Sequence, residues 1–160
     1  MSALIREYRP EDDQAVVELS LRAWAPVFAS IERALGRDIF DRLYGDWRKH
    51  QEQSVRDSVT SDGMRVWVAE GERGVIGFAA AKPDCKRRIG EVWMLAVDPD
   101  HQRAGVGAVL TEFATDWLRD AGMTVAMVET GGDPGHGPAR RVYEKAGYTG
   151  FPVVRYFKAL

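Results

Sequence analysis

One cysteine, Cys85, excludes an intramolecular disulfide, and the three histidines, His50, His101 and His136, are scattered without any metal-ligand spacing. Such a chain suits a reducing cytoplasm and calls for no metal. Charge of one sign is also lacking. The 22 Lys and Arg stand against 24 Asp and Glu, and a net charge of -2 argues against a nucleic-acid partner held by bulk charge. No apolar run approaches the roughly 20 residues of a membrane span, and residues 1–9 have neither the basic start nor the apolar stretch of a signal peptide. There is no internal repeat, low-complexity tract or linker. The expectation is therefore one domain over residues 1–160, long enough to bury roughly 70% of its unfolded surface without disulfides or metal.

What is present is a helical first third and an α/β remainder, with a change near residue 63. Leu4, Ile5 and Tyr8 suggest a short first strand. Val17, Leu21, Trp24, Phe28 and Ile31 recur at helical steps, with Pro26 expected to kink or split the helix. Ile39, Phe40, Leu43, Tyr44 and Trp47 repeat the pattern, and Arg48–Thr60 reads as a solvated helix. From Met64 the period shortens: Val66–Val68, the Gly71–Gly74 turn and Val75–Ala81 form a hairpin pattern, and Val92–Val97 has the apolar run of a central strand covered on both faces. Leu110, Phe113, Ala114, Trp117 and Leu118 mark one face of a long helix closed by Gly122. Val125–Val128 is a further strand, Gly131–Pro138 a loop, Ala139–Ala146 a short helix, and Val153–Phe157 a closing strand.

The chemistry gathers where Val92–Val97 meets the long helix. Gly105 and Gly107 carry no side chain to obstruct a ligand, and no carboxylate occurs from Arg103 to Thr111, so backbone N–H groups at the helix start are open to an external anion. Leu110 takes the place of the third glycine of a G-x-G-x-x-G turn, and no Gly-Lys-Ser/Thr follows, which weakens the dinucleotide and triphosphate-loop readings. Glycines also serve tight strand-to-helix turns, so Gly-x-Gly alone does not choose a ligand. By spacing alone Tyr143 joins Ala139, Val142 and Ala146 on an apolar helix face. Cys85 lies among Lys82, Lys86, Arg87 and Arg88, with no positioned acid–histidine partner, and reads as part of a solvated loop.

Two segments carry a family resemblance. Glu91-Val-Trp-Met-Leu-Ala-Val97, Asp98-Pro99 and Gln102-Arg-Ala-Gly-Val-Gly107 resemble the acetyl-coenzyme A signature, Q/R-x-x-G-x-G/A, of the GCN5-related N-acetyltransferase (GNAT) superfamily. Ala139-Arg-Arg-Val-Tyr143-Glu-Lys-Ala-Gly147-Tyr148 is similar to its second hallmark, A-x-x-x-Y-x-x-x-G-F/Y. The resemblance implies a mixed α/β (α+β) fold: a central, mostly antiparallel sheet with splayed central strands flanked by helices, and a coenzyme-binding core over about residues 64–148. It implies acetyl-CoA held by the backbone of Leu95, Ala96 and Val97 along the pantetheine arm, and by Arg103, Ala104, Gly105, Val106, Gly107 and Ala108 around the pyrophosphate. Tyr143 falls where the family often sets a hydroxyl beside the coenzyme sulfur. Glu91 and Glu129 fall at places where family carboxylates serve as base, since an ammonium must lose a proton before it can attack.

His136 departs from the pattern: seven residues before Tyr143 many relatives carry Asn. Histidine titrates near neutrality as a residue type, so a proton relay and a bond to the pantetheine are open to it, as are simply capping Asp133 and stacking at the loop surface. The implied activity is direct acetyl transfer to a primary amine of a small molecule or protein. A noncatalytic acyl-CoA binding or sensing module and a nucleotide binder with an accidental glycine turn stand as alternatives. Family members are commonly homodimers, no sequence feature here marks an interface, and Arg155–Leu160 is left to finish the sheet or to pair subunits.

Overall fold

The period change near residue 63 separates three helices from the body of a sheet, as the computed structural model, which describes residues 3–160, makes explicit. A first strand, β1 (Leu4–Glu7), precedes α1 (Asp13–Leu35), α2 (Arg37–Tyr44) and α3 (Trp47–Thr60). Then come β2 (Arg65–Gly71), β3 (Gly74–Asp84), β4 (Ile89–Val97), α4 (Val106–Asp120), β5 (Val125–Val128) and α5 (Gly137–Lys145). The sheet order is β1-β2-β3-β4-β5, antiparallel throughout except for the β4–β5 pair. That pair is parallel because α4 carries the chain back across the sheet, as a parallel connection requires.

Each sheet face has its own core. Leu110, Ala114 and Leu118 of α4 pack over Ala79, Ala81 and Val92, while Val16, Val17 and Leu19 of α1 and Val55 of α3 pack over Val68, Phe78 and Ala96. Covered on both sides, Phe78–Ala81 of β3 are wholly buried. Gly90 is needed because Leu118 occupies the space a Cβ would fill. Among the described residues no helix is long and apolar enough to cross a membrane.

Three expectations are corrected. α1 runs unbroken through Pro26; buried Val16, Val17 and Leu19 before it and Phe28 after it anchor both halves and hold the helix across the lost hydrogen bond. Val92–Val97 is not covered evenly on both faces: Ala80 pairs with Met94 and Ala81 with Val92, so Trp93 is the extra residue of a β-bulge and is 50% exposed. Across that bulge the alternation inverts, with Val92 in the α4-side core but Met94 and Ala96 on the opposite side. Val153–Phe157, finally, is not a strand, because no neighbouring strand takes up its backbone bonds; residues 149–160 have no regular structure.

Candidate functional site

β4 outlives its partner. The β4–β5 register ends at Val92 and Val128, yet β4 continues to Val97. Beyond Val92 its β5-side edge is open. The gap becomes a cleft of about 560 Å³, walled by Trp93–Val97, by Val128–Thr130, by Trp24 and Val27 of α1, and by the starts of α4 and α5.

The turn into α4 is tied to the strand it leaves, since Gln102 Nε2 donates to the Val97 carbonyl over 3.1 Å. Arg103 and Gly105 take positive φ angles of 66° and 82°, which turn the chain tightly enough to start α4 at the cleft. The first bond into the helix runs from Val109 N to Gly105 O, leaving Val106, Gly107 and Ala108 N–H without intrahelical acceptors. No acidic residue sits in that first turn. A Cβ at Gly107 would stand 3.7 Å from Val97 and 4.0 Å from Val142, narrowing the space between them. These features fit an elongated ligand with phosphates at the helix start and an extended arm along β4. Arg103, Gly105, Gly107 and Ala108 face the cleft, as do Leu95, Ala96 and Val97. Ala104 is exposed outside it, and the Val106 side chain packs into the α4-side core.

Tyr143 enters the cleft from α5, half-buried. Burial, with a smaller contribution from Tyr148, pushes its phenol up to about 12. Tyr148 is engaged elsewhere: its hydroxyl lies 2.6 Å from Thr115 Oγ1, which itself donates to the Thr111 carbonyl. Among the described residues the Tyr143 hydroxyl has no protein hydrogen-bond partner, so it is free for a ligand.

His136 also lines the cleft. Its Nδ1 is bonded to the Asp133 carboxylate, leaving Nε2 as the available ring nitrogen. Asp133 is held from the other side by Ser30 of α1, whose Oγ donates to Oδ2 over 2.5 Å, and by Gly135 N over 3.2 Å. Burial alone would raise the Asp133 pKa, but the bonds from Ser30 and His136 outweigh it and hold the carboxyl below its usual range. Arg140 donates to the Gly131 and Asp133 carbonyls and clamps the loop to α5. Two glycines make room: a Cβ at Gly131 would collide with Asp133 and His136, and one at Gly135 with Ser30. Sequence reading missed Ser30, which lies 103 residues from Asp133 and bears no local mark of the contact. The D-P-G-H spacing was the one signal available for the Asp133–His136 pair.

Glu91 does not line this cleft. It is half-buried on β4 between Lys82 of β3 and Met127 of β5. Burial first, and the charge of Glu129 second, raise its pKa against the opposing effect of Lys82. Lys82 and Trp93 line a second hollow of about 770 Å³, whose far wall includes His50, Asp57 and Ser58 of α3. Trp93 donates from Nε1 to Ser58 Oγ over 3.0 Å and borders both hollows, so the two meet at the bulge. Glu129 is exposed at the cleft rim, 3.3 Å from Arg155. Cys85 is free and exposed on the β3–β4 connection and lines neither hollow.

Comparison with known proteins agrees with this fold. Mycothiol acetyltransferases of Thermomonospora curvata and Sanguibacter keddieii are 34% and 30% identical over 68% and 91% of this chain, but over 36% and 43% of their own lengths. The chain thus spans less than half of the curated relatives it matches. A Bacillus halodurans protein shares the fold with a TM-score of 0.75 at 17% identity, covering 98% of this chain and 99% of that one. The PaiA N-acetyltransferase of Thermoplasma acidophilum, solved with coenzyme A, gives 0.67 at 17% identity over 91% and 88%. The model of the acetyltransferase (GNAT) family matches residues 31–148, and the chain belongs to that family.

Proposed function

We propose that this chain transfers an acetyl group from acetyl-CoA directly to a primary amine of a small molecule, working as one cytoplasmic domain whose coenzyme-binding core spans about residues 64–148. The observation that carries the reading is the single cleft shared by the open edge of β4, the unpaired N–H groups of Val106–Ala108, Tyr143 and His136. The pyrophosphate is held by those N–H groups with Arg103 beside them, and the pantetheine arm bonds to the β4 backbone at Leu95–Val97. Acetyl-CoA supplies an acyl group already activated as a thioester. His136, its ring fixed by Asp133, bonds the arm through Nε2. The amine enters from the α3 hollow past Trp93, where Asp46 and Asp57 are matched by Lys49 and Lys82, so the hollow accepts a polar acceptor without selecting one by net charge. Glu91, made more basic by burial and by Glu129, takes one proton of the ammonium through water; the freed amine attacks the thioester carbonyl, and as the C–S bond breaks Tyr143, its phenol held above the usual range by burial, gives its proton to the sulfur and is reprotonated by the proton that the new amide nitrogen sheds. Glu129 is the alternative base, weakened in that role by its exposure and its contact with Arg155.

The names of the mycothiol acetyltransferase relatives support a small-molecule acceptor over a protein one. Calorimetric titration with acetyl-CoA, with NAD and ATP as controls, followed by thiol release across a panel of small amines, tests the proposal. Selective acetyl-CoA binding and amine-dependent thiol release are expected. Binding without turnover on any amine would favour a noncatalytic acyl-CoA module, and no binding by folded protein would overturn the site.

A further inference from the structure

Given the acetyl transfer proposed above, on which this rests, we infer that the amine acceptor also carries an oxyanion, as an amino acid does, and that Lys49 and Lys82 hold that group in the α3 hollow. Two carboxylates and two ammonium groups face this space of about 770 Å³. They match in number but not in availability. Asp46 caps α3, accepting from the backbone N–H groups of Arg48 and Lys49, and Asp57 accepts from Gln53 Nε2 over 2.7 Å. Both acids are thus engaged by their own helix. Among the described residues the ammonium groups of Lys49 and Lys82 pair with no carboxylate and donate no hydrogen bond, so the charges left to meet a ligand are positive.

The placement of Lys82 ties this anion site to the chemistry. It stands directly opposite Glu91 in the β3–β4 register, and its charge acts on that carboxylate. A molecule whose oxyanion rests on Lys82 therefore keeps its ammonium within a short span of the base. Lys49 comes from the α3 wall, so the two cations reach the oxyanion from different elements. Trp93 receives the other end. Its indole N–H is fixed on Ser58 Oγ, which donates in turn to the Ser54 carbonyl over 2.7 Å, and the ring stays 50% exposed where hollow and cleft meet. An ammonium beside that indole gains a cation–π attraction. An acceptor with both charges meets a favourable partner at each end, whereas a polyamine would set its further positive charges against the two lysines.

The test pairs each amino acid of a panel with its carboxamide, and phosphoethanolamine with ethanolamine, which separates carboxylate from phosphate and both from no anion. The carboxamide has the less basic amine, so a preference for the acid cannot come from easier loss of the proton. Thiol release by the parent should favour the anionic member of at least one pair by about tenfold in kcat/KM, the effect of one charge-assisted contact. Lys49→Met and Lys82→Met should each reduce that preference and leave the KM for acetyl-CoA unchanged. Loss of Lys82 also alters Glu91, but alike for both members of a pair, so the preference isolates the anion contact. Saturation-transfer NMR of the coenzyme A-loaded proteins, with the N-acetylated form of each compound, reads the same preference without turnover. Equal use of both members of every pair, or a preference that survives both variants, would overturn the inference and leave acetyl transfer standing. A lysine-dependent preference in binding without thiol release would overturn acetyl transfer instead, and absence of both from every pair would overturn the two together.

Discussion

Replacing Tyr143 by Phe removes one oxygen and leaves no protein group without a partner, because that hydroxyl bonds no other described residue. Fold and cofactor binding should therefore survive, with an acetyl-CoA dissociation constant close to that of the parent. Turnover should not. A positioned general acid contributes about 10²–10⁴-fold, which at about 1.36 kcal/mol per decade is roughly 3–5 kcal/mol of transition-state stabilisation. Burial pushes the Tyr143 phenol up to about 12, so at pH 9 about one molecule in a thousand has lost this proton, against about one in ten for an ordinary tyrosine. The parent kcat should show no alkaline loss assignable to this group up to about pH 10. The assay is steady-state thiol release from pH 6 to 10 for both proteins, with calorimetry of acetyl-CoA binding alongside. The reasoning fails if Tyr143→Phe keeps kcat within about threefold of the parent, or if the parent loses activity near pH 9 in a limb that the variant lacks.

Glu91→Gln should lower kcat/KM by about 10²-fold and abolish its acid limb, whose parent midpoint lies above the ordinary carboxylate range because burial and Glu129 raise the Glu91 pKa. The same substitution should raise the Tm at neutral pH. A carboxyl whose folded pKa is raised makes the parent less stable as pH climbs from the unfolded value through the folded one, so the gain should vanish in acid; a variant less stable at pH 7 would count against the assignment. His136→Ala and Asp133→Asn should raise the acetyl-CoA KM alike, with the double variant no worse than either alone; additive effects would mean that Asp133 does not act through His136. Because the folded Asp133 pKa is lowered, its stabilisation is full above the unfolded carboxylate value and is lost as pH falls through the folded one. Asp133→Asn should therefore cost about 1–3 kcal/mol in neutral urea titrations and progressively less in acid. Gly135→Ala should cost more stability than Gly132→Ala, since a Cβ at Gly135 meets Ser30 and one at Gly132 meets nothing within 4 Å.

Those features that depend on local pattern could be read from the chain. The limits of β5 coincide with the apolar run Val125–Val128, the α4 face follows its helical spacing, and the glycine turn stands where a buried strand feeds a helix. Features that depend on a partner were hidden. The bulge at Trp93 exists because β3 pairs around it, and no residue of β4 announces the change of face that follows. Val153–Phe157 has a strand's residues without a strand's neighbour, so propensity alone misjudged its state. Pro26 misled in the opposite direction, because packing on both sides outweighed one lost bond.

The loop from Gly131 to Pro138 carries this contrast into the site. Its four glycines and two prolines suggest a mobile connection, yet Gly131 and Gly135 are there because Ser30, Asp133 and His136 fill the space their side chains would take. With Ser30 holding it to α1 and Arg140 to α5, the loop joins the helical first third to the cleft at the ring of His136. The helix that brings Trp24 and Val27 to the cleft wall, α1, is thus tied through Ser30 and Asp133 to the His136 ring. Substitutions that loosen Ser30 should accordingly be felt in cofactor binding rather than in the proton transfers of Glu91 or Tyr143, although Ser30 itself is buried and outside the cleft.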